Sequence, residues 1–511
     1  MKNGVKSAII IGVICVLLIL IPSCKTNENT GGSTGENGGN NVQQESTTAA
    51  DPNLRENTPD SLPADLNFNG EAIRILYREA IASKYIGSAL TGSEIYAESE
   101  NGDVVNDSVY KRNQKVEDRL NIKIVPVPCR GDWDDRDTFL NTVKNSVNSG
   151  SDDFDIIAGY AYYITSLAPE GVLYNLKNVN YLQPGAEWWS ASCADQMTLD
   201  NKLYYITGDL ALTLLQNTFV VYFDKQVAQN CGLENPYQTV LDGDWTLDKM
   251  DELTKGLYKD VNGDGKPDVG DMYGFATTTG NYVDALYNAF DQPIVTKDAD
   301  GNLQLALNTP KMVDIINKTY SFFYENENSY AISEYNDGAD ASIQNMFVEN
   351  RVLFMNGTLG SNDVLRAMNS DYGIIPYPKW NKDQPDYYTG SQNSYSLFSI
   401  PATCQKIDAV GAAMEALCSE SYRTVTPAYY EIALKKKYSR DDETSQMLDI
   451  IRSGITFNFG ILNSINIDNI QGIFRDLMTE KKTDFTSRYE KSAQMWQKSL
   501  DKLIEKYQNL P

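Results

Sequence analysis

The chain is 511 residues long, carries 69 Asp and Glu against 44 Lys and Arg for a formal net charge of −25, and contains no histidine. That charge argues against nucleic acid and against phosphate-rich ligands, because either needs a basic patch. The missing imidazole removes Ser-His-Asp and Cys-His catalysis and tells against a catalytic zinc site, which leaves carboxylate-only chemistry such as glycoside hydrolysis as the enzymatic option.

At the N-terminus, Lys2 and Lys6 precede an apolar run from Ala8 to Ile21 that is too short and wrongly flanked for a stable membrane span, and the run ends in "IPSC". Small Ser23 directly before Cys24 resembles the lipobox at which bacterial lipoproteins are cut and then acylated. The expectation is a signal over 1–23 and a mature chain held to the outer face of the cell membrane by lipid, palmitate included, on Cys24; the alternative is an ordinary secretory signal with a chance cysteine. Residues 24–65 hold almost no apolar side chain and read as a disordered tether, which as a flexible coil reaches about 35 Å. What remains exceeds one hydrophobic core, so two lobes are expected. The cysteines beyond Cys24 are Cys129, Cys193, Cys231, Cys404 and Cys418, an odd set without a CxxC pair that reads as free thiols.

Within the folded part, "AIRILY" from Ala72 predicts a strand, and the run from Val104 places Val109, Val116 and Leu120 on one helical face before a second strand. "RDTFLNTVKNSVNSG" predicts a helix closed by Gly150, and "FDIIAGYAYY" from Phe154 a buried strand entering an aromatic loop. Strands alternating with helices predict an α/β fold with mostly parallel sheet and a ligand site off the strands' carboxyl ends. "NKLYYITGD", Asn201 to Asp209, reads as another strand, and "NTFVVYFDK", Asn217 to Lys225, as an extended run.

Several stretches together resemble the extracellular solute-binding proteins (family 1, carbohydrate-type) of bacterial ABC importers, particularly lipoprotein members: "GDVVNDSVYKRN", "DKQVAQNCGLENPYQTVLDGDWTLDKMDELTK", "DVNGDGKPDVGDMYGF", "DYGIIPYPKWNKDQPDYY" and "YYEIALKKKYSRDDETSQMLDII". The resemblance implies two α/β lobes closing like a clamshell, a periplasmic-binding-protein-like fold of type II. Mapped onto this chain, one lobe is 66–215 with 376–420 and the other 216–375 with 421–511, with hinge crossings near "NTFVVYFDK" and "GIIPYPK". It also implies a binding protein rather than an enzyme: a monomer that takes a carbohydrate and passes it to the permease. The tail from Ser487 sets Tyr489, Trp496, Leu500, Leu503 and Tyr507 at helical spacing, a docking stripe.

"DVNGDGKPDVGD" sets Asp260, Asn262, Asp264, the Lys266 carbonyl, Asp268 and Asp271 at positions 1, 3, 5, 7, 9 and 12 of an EF-hand loop, with Gly265 at the turn. A helix capped by Thr246 precedes it but a strand follows, and Asp271 stands where a bidentate Glu is normal. One structural calcium or a hydrated Asx-rich turn both fit; a sensor does not, since that needs two helices. "KDADGN", Lys297 to Asn302, reads as a hairpin turn.

The candidate ligand-binding residues are Tyr160, Tyr162 and Tyr163 after "FDIIAG", Trp188 and Trp189 beside Glu187, Asp209, Asn217, and Thr358 in "MNGTLG". The resemblance implies aromatic faces against sugar rings; at the last loop sugar-binding members often carry an aromatic residue, where this chain has Thr358 and Leu359. Core packing competes for the tryptophan pair and the tyrosines, and Trp245, at the start of a capped helix, reads as structural. Besides solute capture, a surface glycosidase using Glu187 and Asp209 and a sensory sugar-binding protein reporting to a receptor kinase are the alternatives.

Overall fold

Strand β1 (Glu71–Arg78) is followed by β2 (Ile122–Cys129), β3 (Ile156–Tyr160), β4 (Phe219–Asp224), β5 (Tyr273–Thr278), β6 (Val295–Lys297), β7 (Leu303–Leu305), β8 (Ser329–Ile332), β9 (Val352–Thr358), β10 (Tyr372–Ile375) and β11 (Ser396–Ser399). The computed structural model describes residues 55–79, 92–365, 368–430, 434 and 442–510. The signal, Cys24 and most of the tether lie outside the described residues, as does much of "YYEIALKKKYSRDD".

The first sheet has the order β11-β3-β1-β2. β1 runs parallel to β2, with Glu71 opposite Ile122 and Arg78 opposite Cys129, and parallel to β3, while β11 pairs antiparallel with β3. All five residues of β3 are buried, as a strand covered on both faces requires. The helix Val104–Leu120 starts where the Asp103 carboxylate accepts from the Val105 and Asn106 amides, and it buries Val109, Val116 and Leu120 as its period predicts. The helix Arg136–Ser149 ends at Gly150, whose φ of 67° would strain any residue with a Cβ.

The second sheet, β10-β4-β9-β5-β8, is mixed rather than mostly parallel: β5 runs parallel to β8 and β9, but β4 is antiparallel to β9 and β10. β4 enters this sheet from the first lobe, so it meets its neighbours head to tail. β6 and β7 form the hairpin predicted around Lys297 to Asn302, with the Asp298 carboxylate accepting from the Asp300 and Asn302 amides.

Two expectations are corrected. Asn201 to Asp209 makes no strand; only isolated bridges form, Lys202 with Leu199, Ile206 with Phe398 and Gly208 with Trp189, while the Leu203 amide donates to the Asn175 side chain and its carbonyl accepts from the Leu176 amide. The Tyr205 hydroxyl instead donates to Thr165 O and accepts from the Ala168 amide, tying the segment to a loop. The return crossing lies later than "GIIPYPK". β10 belongs to the second sheet, and Pro376 and Lys379 remain with that lobe, bonded to Trp245. The chain crosses back where Gly390 and Gln392 pair with Phe219 and Asn217.

Trp245 is fully buried, its indole N–H donating to Pro376 O, so its role is structural. Ser421–Val425 packs on the helix Val104–Leu120, whereas Asp442–Ser453 packs on β10. The tail helix Phe485–Gln508 buries Tyr489, Trp496, Leu500, Leu503 and Tyr507, the predicted stripe, and lies against both the Ala168–Glu170 turn and the helix Pro310–Tyr320. All five described cysteines are free.

Candidate functional site

Three parallel strands of the first sheet end on one edge, and the residues just beyond them form one wall of a site. β3 ends in Tyr160. After β2 the chain turns at Gly131, and Asp132 caps a short turn through its bond to the Trp133 amide, which places the half-buried Trp133 ring 6.5 Å from Tyr160 and 5.7 Å from Tyr162. Arg78, the last residue of β1, sits 4.6 Å over the Tyr160 ring and 3.9 Å from Asp132. The Tyr160 hydroxyl donates to Asn393 Oδ1 (3.2 Å) and that of Tyr162 to Asn469 Oδ1 (2.7 Å).

The facing wall follows the carboxyl ends of β5 and β8. β5 turns at Gly280 into the helix Asn281–Ala289, which carries Asp284; Glu334 lies just past β8. A Cβ on Gly280 would stand 1.7 Å from a Glu334 carboxylate oxygen, so only glycine lets that carboxylate press on the helix start. Between the two acids lies Arg475, paired with Asp284, 3.2 Å from Glu334 and 3.2 Å from Asn281 Oδ1. Burial raises the Asp284 and Glu334 carboxyls above their ordinary range against the pull of Arg475. The Tyr160 hydroxyl's partner Asn393 lines the same pocket as Asn281 and Asp284, which brings the two walls together.

Beside the polar wall lies a pocket of about 40 Å³, lined among others by Phe219, Asn281, Asp284, Asn288, Asn393 and Gln471. Among the described residues, Asp284 Oδ1, Gln471 Oε1, Asn217 Oδ1 and Arg475 Nε are buried without a hydrogen-bond partner. Buried polar atoms are rarely left so, and two of these residues, Asp284 and Gln471, line the pocket, which marks a place where a polar ligand completes the bonding.

Tyr160 and Tyr162 thus come to this site together with Trp133, Arg78, Asp284, Glu334 and Arg475. The other sequence candidates lie elsewhere. Tyr163 is fully buried and donates to Gly131 O. Trp188 and Trp189 are core residues: both indole N–H groups donate to the buried Glu415, at 3.0 and 2.8 Å. Asp209 is held by Arg55 (3.4 Å) and Arg452 (3.3 Å), and burial pushes its carboxyl up to about 6. Glu187 accepts from the Tyr422 hydroxyl. Asn217 and Thr358 belong to the crossing, Asn217 donating to Ser394 Oγ and Thr358 pairing with the pocket residue Phe219. Trp133 was accessible to the rule that found Tyr160, since "CRGDW" follows a strand; Arg475 had no local signal.

The acidic loop joins the helix Leu247–Thr254, capped by Thr246, to β5, the helix-to-strand context its sequence predicts. Its side-chain oxygens accept from loop amides: Asp260 from Gly263 and Gly265, Asn262 from Asp264, Asp264 from Lys266, and Asp268 from Gly270. Buried Asp271 has both oxygens engaged, by Val261 N, Asp268 N and the Tyr258 hydroxyl. No cluster of three acidic or thiol side chains is arranged to hold a metal among the described residues. The donor set therefore fits a calcium ion at positions 1 to 9 only after these oxygens turn, and position 12 serves the loop itself.

Residues 120–423 match the family of bacterial extracellular solute-binding proteins. Solved structures share the fold at low identity. UspC of M. tuberculosis has a TM-score of 0.52 at 12% identity over 84% of this chain and 100% of its own. A sugar transporter protein from Rhizobium etli in an open conformation has 0.51 at 13%, over 86% and 100%. A cyclo/maltodextrin-binding protein complexed with maltotetraose has 0.51 at 12%, over 86% and 98%. No curated protein sequence matches the chain. No helix among the described residues is long and apolar enough to cross a membrane. With two mixed α/β lobes and paired crossings between them, the chain belongs to the bacterial extracellular solute-binding proteins.

Proposed function

We propose that this chain is the substrate-binding lipoprotein of an ABC transporter, anchored through Cys24, which captures a sugar or oligosaccharide between its lobes and delivers it as a monomer to a membrane permease. The observation that carries the sugar reading is the pairing of an aromatic wall, Trp133, Tyr160 and Tyr162, with a polar wall of Asn281, Asp284 and Arg475. Such a site offers ring faces and directional acceptors together, which is what a polyhydroxylated ligand can use. The carboxylates considered for hydrolysis, Glu187 and Asp209, are engaged by Tyr422 and by two arginines, which favours binding over catalysis.

The test is a broad saccharide screen by thermal shift, followed by solution scattering with any hit. The expected result is a raised melting temperature and a smaller radius of gyration as the lobes close. Tight binding of a peptide or a charged metabolite, with no saccharide bound, would overturn the reading. For the anchor, Cys24→Ser should leave the protein in the soluble fraction; retention on membranes would refute lipidation.

A further inference from the structure

The helix Asn281–Ala289 carries a polar row away from the wall it begins in. Asn281, Asp284 and Asn288 recur on one of its faces at three- and four-residue spacing, and Asp291 and Gln292 follow past its end, so the row spans about 15 Å. Asn281 and Asp284 line the small pocket, Asp291 and Gln292 line a second cavity, and Asn288 lines both. That second cavity is a groove of about 460 Å³, within the usual range of small-molecule sites, whereas the first, at about 40 Å³, has no room for a sugar ring in this state.

The groove lies between the lobes. One side is the helix Ala191–Met197 of the first lobe, through Ser192, Asp195 and Gln196; the other is the end of the helix Asn281–Ala289 and strand β6 of the second. Thr456, Phe457 and Asn458 line both cavities, and the Asn288 amide donates to Thr456 O (2.8 Å) and Oγ1 (3.2 Å), forming the sill between them. Lys297 on β6 donates to Asp195 O, so one bond ties the two sides together.

The lining suits an uncharged sugar chain. Tyr388 and Phe457 are half-buried rings, and Phe457 is propped edge-on against the buried Tyr395, 6.0 Å away. Gln196, Gln292 and Asn458 set amides around them. Lys297 feels the charge of Asp195 and Lys311 that of Asp291, so both carboxylates of the groove are offset. Ring faces among amides can stack on a pyranose and bond its hydroxyls, while balanced charge favours neither anion nor cation.

We propose that the groove is a second part of the ligand site, and that the captured solute is a neutral oligosaccharide of about three units or more, its chain running along the helix Asn281–Ala289 from the aromatic wall into the groove. This rests on the solute-capture reading above and sets the ligand's length. A monosaccharide would leave Tyr388 and Phe457 to water.

The experiment is calorimetric titration of the full chain with malto-, cello-, xylo- and manno-oligosaccharides, each as a series from one unit to about five. In the series that binds, chains of about three units or more should bind at least about tenfold tighter than the single sugar, the scale of one or two added aromatic contacts. Tyr388→Ala and Phe457→Ala should each cut that gain by about threefold or more, with folding checked by melting temperature. A single sugar that binds as tightly as its longer chains overturns the proposal and leaves sugar capture standing. A gain with length that survives in full in both variants puts the added units elsewhere and overturns the assignment to the groove. Should Phe457→Ala not fold, Tyr388→Ala decides. If no saccharide of any length binds, sugar capture itself falls and this inference with it.

Discussion

Replacing Glu415 by alanine should cost stability in a pH-dependent way. Glu415 is fully buried on the helix Ile407–Glu420 and accepts three donors: Trp188 Nε1 at 3.0 Å, Trp189 Nε1 at 2.8 Å and the Gln183 amide at 3.1 Å. Alanine leaves three buried N–H groups without an acceptor, each at about 1–2 kcal/mol, or roughly 3–6 kcal/mol together. Burial pushes the Glu415 carboxyl from its ordinary 4.5 up to about 7 despite these donors, so the ionised form carries a penalty of about 3 kcal/mol that alanine removes. The sign follows from proton binding: between those two values the native state holds the proton and the unfolded state has lost it, so the parent's stability falls as pH rises through that window. The loss on substitution should therefore be ~3–6 kcal/mol near pH 5 and shrink to ~0–3 kcal/mol near pH 8. Denaturant unfolding followed by tryptophan fluorescence, with circular dichroism as a second probe, measures it. A loss under about 1 kcal/mol at the acidic end, or a loss that grows with pH, would refute the assignment of Glu415 as the acceptor that holds both indoles in the core.

Trp133→Ala should weaken saccharide binding by about 1–2 kcal/mol, roughly five- to thirtyfold, with little change in melting temperature because the ring is half-buried; unchanged affinity would remove it from the ligand wall. Asp60 is partly desolvated, which raises its carboxyl, yet bonds from Arg119, Ser419 and Arg423 hold it well below the ordinary carboxylate range. Its contribution is thus present above about pH 4 and lost as pH falls further, so Asp60→Asn should destabilise by ~1–3 kcal/mol at neutral pH and by much less in strong acid, read from unfolding midpoints at each pH. Calcium, if held by the loop from Asp260, should raise the melting temperature without changing ligand affinity; a chelator that abolished ligand binding in folded protein would show a role beyond a structural staple.

Much of the local structure was legible because its causes are local. The apolar period of Val104–Leu120, the Thr246 cap, the glycine at 150, the hairpin around Asp298 and the tail stripe from Tyr489 to Tyr507 each depend on residues within a turn or two of one another. The placement of Tyr160 at the carboxyl end of a parallel strand has local causes of the same kind.

Partnerships across the chain were decided only by the tertiary structure. Trp188 and Trp189 look alike in sequence whether they face a sugar or a core, and the choice was made by Glu415, which lies 227 and 226 residues away. Arg475 meets Asp284 across 191 residues and sets the charge of the pocket, with nothing in its own neighbourhood to announce it. The run from Leu203 to Ile206 had the composition of a strand, but the Leu203 backbone bonds with Asn175 and Leu176 and the Tyr205 hydroxyl bonds Thr165 and Ala168, partners that lie far off in the sequence. Burial and long-range charge are properties of the packed chain: a carboxylate or an indole acquires its role from what desolvates it and what bonds it, and those neighbours are brought together only when both lobes have folded.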